Sequence, residues 1–362
     1  MKYYDEYRDG ASARALVADL RKVVTRPMRI MEVCGSHTMA IFRNGIRSVL
    51  PDGLELISGP GCPVCVTSAS HMDAFIAMAD RPGVRVAIFG DLFRVPGSNG
   101  SLANASSRGA RVDIVYSPID ALDLAARHPQ ELVVFLGVGF ETTTPTIAAT
   151  ILAARNRNIS NFTVFATQKT VPPALTALLD DPQLQLDGLL CPGHVSAIIG
   201  AGAYIPFAAK YHIACVVAGF ETTDLLTSLI MLARQIGAGE ARVDNAYARA
   251  VSWDGNARAQ QMVAEIFEPC DTEWRGLGLI PGSGLKIREK YREFDAEARL
   301  HITLAPAGEP KGCRCGDILK GISTPRQCPL FGSRCTPASP VGPCMVSSEG
   351  TCAAFHKYGL EV

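Results

Sequence analysis

Hydrophobic and polar positions along the chain alternate between helix-like and strand-like patterns. Residues 11–24 carry apolar side chains at helical spacing and predict an amphipathic helix before a strand at residues 28–33. Later β-rich runs each give way to a turn containing Gly or Pro and then to a segment rich in Ala and Leu. These runs lie at residues 84–89, 132–136, 162–166, 189–191 and 213–218. The alternation is typical of α/β folds with mainly parallel sheets.

An internal repeat predicts two related lobes. The sequence Gly-Phe-Glu-Thr-Thr occurs at residues 139–143 and again at residues 219–223, each time after an apolar run. A weaker repeat relates Gly-Pro-Gly-Cys-Pro from Gly59 to Cys-Pro-Gly-His from Cys191. We interpret these repeats as two parallel-sheet α/β lobes, residues 50–155 and 156–240, around a shared cleft. Open parallel sheets bind ligands at the carboxyl ends of their strands, so both Gly-Phe-Glu-Thr-Thr turns are expected to face that cleft.

The same two turns have a simpler interpretation as helix starts. Their threonines would then cap the following helices, and Glu141 and Glu221 would complement the helix dipoles. The sequence leaves both interpretations open, so it assigns no role to either glutamate.

The two ends of the chain complete the predicted architecture. Residues 1–49 are expected to form a helix and a strand that carry Cys34 and pack with the C-terminal domain. Residues 241–362 are expected to form a helical and Cys-rich domain, in which hydrophobic periodicity disappears from Cys313 onward. Such a segment has too few apolar side chains to order itself, which suggests that a bound metal centre cross-links it.

Composition narrows the functional classes. Of the 362 residues, 48% are hydrophobic and 19% are charged, which indicates a well-covered interior. Thirty-five basic residues balance thirty-five acidic ones without a basic run, which argues against binding to nucleic acid or to a membrane surface. The charged N-terminus lacks the apolar stretch of a signal peptide, so a cytoplasmic location is expected. An uncharged run at residues 188–209 is interrupted by prolines and glycines, which argues against a membrane helix.

Twelve cysteines in a reducing compartment favour metal binding or redox chemistry over a disulfide framework. Six of them fall in the last fifty residues: Cys313, Cys315, Cys328, Cys335, Cys344 and Cys352. Four thiolates can hold an iron–sulfur cluster or a tetrahedral zinc, and six candidates compete for the four places. The lack of two tight Cys-x-x-Cys knuckles favours a cluster, and buried inert thiols are the remaining alternative.

Cys62 and Cys65 form a Cys-x-x-Cys pair ahead of a helix predicted from about residue 68 to residue 79. At a helix N-terminus the dipole would stabilise a thiolate, and two thiols this close can cycle between dithiol and disulfide. Half of a zinc site is the alternative interpretation, although no second pair in the sequence complements it.

Cys34 and His37 form a third group of candidate residues. A thiolate is a soft ligand suited to iron, and the imidazole could take a proton, bind a ligand by a hydrogen bond or lower the pKa of the thiol. An incidental Cys near a His is the alternative. His194, on a predicted strand-end loop, is expected to be structural, although it could line the cleft. Three further cysteines are expected to be structural: Cys191, Cys215 and Cys270.

Six blocks of the sequence resemble the hydrogenase maturation factor HypD family, and they span nearly the whole chain in one order. The blocks are Met-Glu-Val-Cys-Gly-Ser-His-Thr from Met31, Gly-Pro-Gly-Cys-Pro-Val-Cys from Gly59, Gly-Phe-Glu-Thr-Thr-Thr-Pro from Gly139, Cys-Pro-Gly-His-Val-Ser from Cys191, Trp-Arg-Gly-Leu-Gly from Trp274 and Gly-Pro-Cys-Met-Val-Ser-Ser-Glu-Gly from Gly342.

The resemblance implies a scaffold on which an Fe(CN)2CO unit is assembled for [NiFe]-hydrogenase, with redox activity but without the turnover of an ordinary enzyme. It implies two partners, a small chaperone of the HypC type and a cyanide donor of the HypE type. We expect the protein to be monomeric without them. The family resemblance also implies an α/β fold whose third, Cys-rich domain binds a [4Fe-4S] cluster.

The resemblance also implies roles for particular cysteines. The family spacing Cys-x14-Cys-x6-Cys-x16-Cys is reproduced by the expected cluster ligands Cys313, Cys328, Cys335 and Cys352. Cys315 and Cys344 would then be non-ligands. Cys34 would hold the iron that receives CN and CO, and Cys62 and Cys65 would exchange electrons with the cluster in a manner similar to ferredoxin-thioredoxin reductase. Ser36 stands where Thr is common in the family, and the hydroxyl is retained.

Three rival functions are compatible with parts of the sequence. The first is a [4Fe-4S]-dependent protein disulfide reductase that acts through Cys62 and Cys65. The second is a structural zinc protein whose cleft binds another protein. The third, a nucleotide-binding α/β enzyme, is weakened because the sequence contains neither a Walker-type motif nor a convincing Gly-x-Gly-x-x-Gly turn.

Overall fold

A computed structural model describes residues 9–359 and arranges their strands in two parallel sheets and one antiparallel hairpin. The strands are β1 (Met28–Glu32), β2 (Leu54–Ser58), β3 (Val84–Ile88), β4 (Arg111–Ile114), β5 (Leu132–Gly137), β6 (Phe162–Ala166), β7 (Gly188–Pro192), β8 (Ala214–Ala218), β9 (Val243–Asn245), β10 (Phe267–Trp274) and β11 (Gly278–Ile287). The helices are α1 (Gly10–Val23), α2 (Gly35–Arg43), α3 (Ala69–Ala79), α4 (Leu102–Ser107), α5 (Pro118–Arg127), α6 (Thr144–Asn156), α7 (Val171–Leu179), α8 (Gly193–Ile199), α9 (Ile205–Tyr211), α10 (Thr222–Ala238), α11 (Ala257–Ile266), α12 (Ala296–Leu300), α13 (Cys315–Leu319) and α14 (Thr351–Tyr358).

The larger sheet has five parallel strands in the order β2-β1-β7-β8-β9, and we call it and its helices the five-stranded lobe. Ile30 on β1 pairs with Leu56 on one side and with Gly188 on the other. Every residue of β7 and β8 is buried, because helices cover both faces of a parallel sheet and its strands are therefore apolar throughout. Helix α10 packs on β7 and β8, and α1 packs on α10.

The smaller sheet has four parallel strands in the order β4-β3-β5-β6 and forms the four-stranded lobe. Val86 on β3 pairs with Val134 on β5, which pairs in turn with Thr163 on β6. Strand β4 is the partly exposed edge. The two parallel sheets confirm the predicted α/β class, and the runs predicted near residues 28, 84, 132, 162, 189 and 213 are all strands.

The strand pairing divides the chain differently from the expected boundaries. Strand β2 was expected in the lobe 50–155, but it pairs with β1 in the five-stranded sheet. Strand β6 was expected in the lobe 156–240, but it pairs with β5 in the four-stranded sheet. A parallel strand is joined to its neighbour by a long crossover, so nearness in sequence does not decide which sheet a strand enters.

The region after residue 240 is less helical than expected. Residues 267–287 form the antiparallel hairpin of β10 and β11, in which Phe267 pairs with Ile287. Gly276 and Gly278 at its turn have φ values of +78° and +77°, a conformation that glycine adopts without strain. After residue 300 the chain contains only short helices within the described residues. Buried side chains of this Cys-rich segment, including Cys315 and Met345, share one core with both lobes.

The chain between β1 and β2 contacts the C-terminal segment. Helix α2 packs against α14, where the ring centroids of Phe42 and Phe355 lie 4.7 Å apart. The guanidinium of Arg47 lies over both rings. The uncharged run at residues 188–209 folds as β7, α8 and the start of α9. Among residues 9–359, no helix combines the length and the apolar character needed to cross a membrane.

Candidate functional site

Cys34 lies at the carboxyl end of β1 and forms the N-cap of α2. Its sulfur is buried and makes no side-chain capping hydrogen bond, although the N–H groups of Ser36 and His37 and the Ser36 hydroxyl lie near enough to favour its ionised form. Burial raises the pKa of the Cys34 thiol to about 12, and the nearby charge of Glu349 adds to the effect. The nearby amides favour a negative sulfur, but none of the groups that act on it within residues 9–359 supplies the positive charge that would keep it ionised. A bound cation would supply that charge.

The Gly-Pro-Gly-Cys segment after β2 passes directly against Cys34. The Gly35 N–H donates to the Gly61 carbonyl oxygen at 3.0 Å. A Cβ atom on Gly61 would lie 1.8 Å from the Val33 oxygen and 2.4 Å from the Cys34 Cα, so only glycine fits there. This close backbone contact places Cys62, the next residue, beside the end of β1.

Cys62 and Cys65 form a disulfide, with their Cα atoms 5.2 Å apart. Both residues are buried, with 3% and 0% of their surface exposed, and the Cys65 N–H lies 3.1 Å from the Cys62 sulfur. Helix α3 begins at Ala69 with Ser68 as its N-cap. The helix was therefore predicted correctly, but the pair lies in the preceding turn and not at the helix N-terminus as expected.

A loop of the C-terminal segment closes over these two groups. The Ser36 hydroxyl donates to a carboxyl oxygen of Glu349, and Ser347 Oγ lies 3.3 Å from Cys62 Sγ. The Ser347 hydroxyl also donates to Asp91 Oδ2 at 3.2 Å. Because Asp91 follows β3, this loop joins the ends of strands from both lobes at one place. Residues 347–349 therefore close the cleft, inferred from the repeated turns, at the strand ends that carry Cys34 and Asp91.

Sequence reasoning assigned no role to Asp91, Ser347 or Glu349. Two of them stand in the block from Gly342 that carried the family resemblance, and Asp91 directly follows a strand of a parallel sheet. Position at a strand's carboxyl end was the signal that could have identified Asp91.

Two histidine rings lie against Phe220, which belongs to the second Gly-Phe-Glu-Thr-Thr turn. The centroid of Phe220 lies 4.6 Å from that of His37 and 3.8 Å from that of His194. His37 Nε2 lies 3.3 Å from the Ala218 carbonyl oxygen, which requires a proton on Nε2 and leaves a lone pair on Nδ1. Among the described residues, Nδ1 has no hydrogen-bond partner. Burial lowers the pKa of His37 to about 4, so the ring is neutral at pH 7.

His194 lines an open cavity of about 510 Å³ next to Cys34. The cavity wall also contains Ser36, Arg43, Glu221 and Glu349. The sequence expectation favoured a structural role for His194, and the structure places it on the wall of the cleft. The three cysteines expected to be structural lie in strands, with Cys191 and Cys215 fully buried and Cys270 partly buried.

The two Gly-Phe-Glu-Thr-Thr turns have diverged in their chemistry. Both follow a parallel strand and precede a helix, as predicted. Glu221 caps α10 in a reciprocal capping box with Asp224, so this turn is a helix start, but the N-cap is the glutamate and not a threonine as that interpretation had it. Glu141 is buried and accepts a hydrogen bond from the Val171 N–H at 2.8 Å, at the start of α7 rather than α6. Its Oε2 has no partner among residues 9–359.

Glu141→Gln is expected to stabilise the protein at alkaline pH. Burial raises the pKa of Glu141 from its ordinary 4.5 to about 7, so between these pH values the folded state binds more protons than the unfolded state. Stability therefore falls as the pH rises through this window. At about pH 8 the amide should recover up to about 3 kcal/mol, while its oxygen still accepts the Val171 hydrogen bond.

The measurement is urea unfolding of the wild type and the variant at about pH 4 and about pH 8. Glu289→Gln is the control, because that side chain is 81% exposed. An equal gain at both pH values would contradict the buried-carboxylate explanation.

Four of the six C-terminal cysteines lie in a row of contacting thiols. The thiol of Cys315 contacts those of Cys313 and Cys344, and the thiol of Cys344 contacts that of Cys352. Cys335 Sγ accepts the Val341 N–H at 3.4 Å. Within residues 9–359, these side chains form no preassembled group of three or more metal-binding residues.

The fold and the site together define a class: two-lobed parallel α/β proteins with buried cysteines at their strand ends and a Cys-rich C-terminal segment. A family model described as "Hydrogenase formation hypA family" and named HypD matches residues 11–359. The chain belongs to the HypD family.

Curated relatives match along the full chain. The hydrogenase maturation factor HypD of Azotobacter vinelandii is 48% identical over 370 residues, which cover 100% of this chain and 98% of the relative. The proteins of the same name from Rhodobacter capsulatus and Escherichia coli (strain K12) are each 46% identical, over 99% of this chain and 98% of the relative. Family membership gives the chain a role in hydrogenase maturation.

Proposed function

We propose that the protein is a scaffold on which the Fe(CN)2CO unit of [NiFe]-hydrogenase is assembled, with the iron held by Cys34. One observation carries the proposal: Cys34 and the Cys62–Cys65 pair come from different strand ends and meet at one buried place. Low-spin iron with cyanide and CO ligands needs a soft donor, and a thiolate meets that need.

The surroundings of Cys34 suit an iron cargo. The thiol must lose its proton when it binds iron, and the amides of Ser36 and His37 then stabilise the sulfur. The neutral His37 ring can accept a proton at Nδ1, and in this tautomer it does not donate a hydrogen bond from that atom. Its proposed role is therefore transient proton acceptance at Nδ1, because a pKa of about 4 does not let the ring keep the proton at pH 7.

Cys62 and Cys65 would store two electrons beside the iron. Reduction of their disulfide takes up two electrons and two protons, breaks the S–S bond and yields two thiols; oxidation releases the same electrons and protons. The backbone contact between Gly61 and Cys34 keeps this store next to the proposed iron position.

The C-terminal thiols fit an iron–sulfur cluster in donor type. The proposed ligands, on the family spacing, are Cys313, Cys328, Cys335 and Cys352. Cys328 Sγ lies 3.9 Å from the Gly312 oxygen, and a Cβ on Gly342 would lie 3.1 Å from Cys313 Sγ, so the loops carrying these thiols are neighbours. When bound, a [4Fe-4S] cluster would supply electrons one at a time. The thiols of Cys315 and Cys344 lie between Cys313 and Cys352.

The proposed partners are a small HypC-type chaperone, which would supply a second thiolate to the iron, and a HypE-type cyanide donor. The cavity of about 510 Å³ opens beside Ser36 and offers a place for an inserted partner segment. The rival function of a protein disulfide reductase is disfavoured, because Cys62 and Cys65 are too buried to be reached by another protein's disulfide.

The proposal is tested by infrared spectroscopy of the protein purified anaerobically with its small partner, together with iron and sulfide quantification. We expect infrared bands of iron-bound cyanide and CO. We also expect more iron than the measured sulfide of a cluster accounts for. A complex that contains only cluster iron and shows no such bands would contradict the scaffold function.

A further inference from the structure

Two polar groups connect the buried disulfide with the protein surface. Ser347 Oγ lies 3.3 Å from Cys62 Sγ and 3.2 Å from Asp91 Oδ2. Ser347 is 1% exposed, Asp91 is half-buried, and the adjacent Ser348 is exposed. We propose that Ser347 and Asp91 form a proton path between Cys62 and solvent. This inference rests on the redox role proposed above for Cys62 and Cys65.

A buried disulfide needs such a path. Each reduction releases sulfur as thiolate, and a thiolate without a proton or a positive partner is costly in an apolar interior. The surroundings of Cys62 are mainly apolar, because it shares a core with Val33, Val64 and Val66. Bulk water solvates its sulfur poorly, since only 3% of the residue is exposed.

Ser347 has the geometry of a relay. A hydroxyl can donate one hydrogen bond and accept others, so it can pass a proton by receiving one and releasing another. In the disulfide state its hydrogen points to Asp91 Oδ2. When Cys62 is released as a thiolate, the hydroxyl turns and its proton moves to sulfur, while the Asp91 carboxylate takes up a proton from solvent and passes it to the hydroxyl oxygen.

Asp91 is held in place independently of Ser347. Its Oδ2 also accepts the Ser348 N–H at 3.3 Å and the Ser348 hydroxyl at 2.9 Å. The other carboxyl group nearby is Glu349, whose backbone N–H donates to Ser347 Oγ and whose side chain bonds to Ser36. Glu349 thus faces Cys34, while Asp91 faces Cys62 through Ser347.

The full step is balanced when dithiothreitol is the reductant. Dithiothreitol is oxidised to its cyclic disulfide, the Cys62–Cys65 bond breaks, and two S–H bonds form. The Cys62 proton comes from Ser347, and Ser347 regains one from solvent by way of the Asp91 carboxylate. Of the two thiol protons that dithiothreitol loses, one passes to Cys65 and the other to solvent, so the proton count is unchanged.

The test measures the rate at which dithiothreitol reduces the Cys62–Cys65 disulfide in the full chain, followed by alkylation and peptide mass mapping. Ser347→Ala and Asp91→Asn should each slow reduction by about 100-fold, the lower end of what a positioned proton donor contributes. The double variant should be no slower than either single variant, because the two groups act in series. Ser347→Thr, which restores a hydroxyl, should recover the rate.

Two matched controls separate proton transfer from loop anchoring. Ser348→Ala removes another hydrogen bond to Asp91 but leaves the path intact, so its rate should match the wild type. Asp73→Asn removes an equivalent carboxylate, which accepts the N–H and hydroxyl of Ser98 at 2.7 and 2.6 Å and lies outside the path. Slowing by Ser348→Ala equal to that by Ser347→Ala, or no slowing by Ser347→Ala, would overturn the proton path.

Failure of the path and failure of the proposed function give different results. Infrared bands together with unchanged rates in the Ser347 variant would reject the path alone. Missing bands together with a slowed Ser347→Ala variant would reject the scaffold function and leave the path as a property of the disulfide.

Discussion

Cys34→Ala is expected to abolish the infrared bands of iron-bound cyanide and CO in the complex purified with the small partner, while the visible absorption of the proposed C-terminal cluster remains. The thiolate is the only soft donor at this end of β1 among the described residues, apart from the Cys62–Cys65 pair that is committed to its disulfide. Alanine keeps the backbone of the strand end and removes the iron ligand. The loss should therefore be complete rather than gradual.

Cys215→Ala is the matched control. Cys215 is a fully buried thiol in β8 of the same sheet, so its replacement costs similar packing without touching the site. The control should retain both the infrared bands and the cluster absorption. Bands that persist in Cys34→Ala would refute the anchoring role, and loss of both signals in it would show that the variant disturbs the fold.

Strands could be predicted wherever the local sequence has a clear strand pattern. The run at residues 162–166 matches β6 in both limits, and the turns at 139–143 and 219–223 lie at strand ends because their flanking patterns switch from strand to helix. Strands β2, β4, β9, β10 and β11 were not predicted. Of these, β4 and β9 are only four and three residues long, and β10 and β11 are interrupted by Pro and Gly. Which sheet each strand enters depends on the path of the crossovers, and the local pattern does not contain that information.

The candidate site was predictable by residue type but not by arrangement. Cys34, Cys62 and Cys65 stand out because thiols carry chemistry that apolar residues do not. The hydrogen bond between Ser347 and Asp91 joins residues 256 positions apart, and serine and aspartate are common enough that neither is conspicuous. Only the folded chain shows that these two side chains lie beside the disulfide.

Glycines explain how the segment after β2 and the C-terminal loop come so close to Cys34. Gly61 lets the segment after β2 touch the end of β1, and a Cβ on Gly35 would lie 2.7 Å from the Glu349 oxygen. Three pieces of backbone therefore meet at Cys34 at distances that no side chain would allow. The motif glycines around the cysteines are part of the site because they set how close its parts can come.

Replacing any one of four C-terminal cysteines with alanine is expected to remove the iron–sulfur cluster and to loosen the C-terminal segment. The four are Cys313, Cys328, Cys335 and Cys352. Short helices and irregular backbone dominate this segment, so metal–thiolate bonds would contribute much of its order. Iron and inorganic sulfide should fall to background in each purified variant, and limited proteolysis should cut the segment after residue 300 faster than in the wild type.

Cys315→Ala and Cys344→Ala are the decisive controls, because both thiols are buried and both touch expected ligands. The thiol contacts alone would give the ligand set Cys313, Cys315, Cys344 and Cys352. The family spacing gives Cys313, Cys328, Cys335 and Cys352. The spacing is the stronger guide, because thiols without a metal can settle into contacts that a cluster would rearrange. Both control variants should therefore keep their iron and sulfide. Cluster loss in these two, with retention in Cys328→Ala and Cys335→Ala, would replace the proposed ligand set with the one that the thiol contacts indicate.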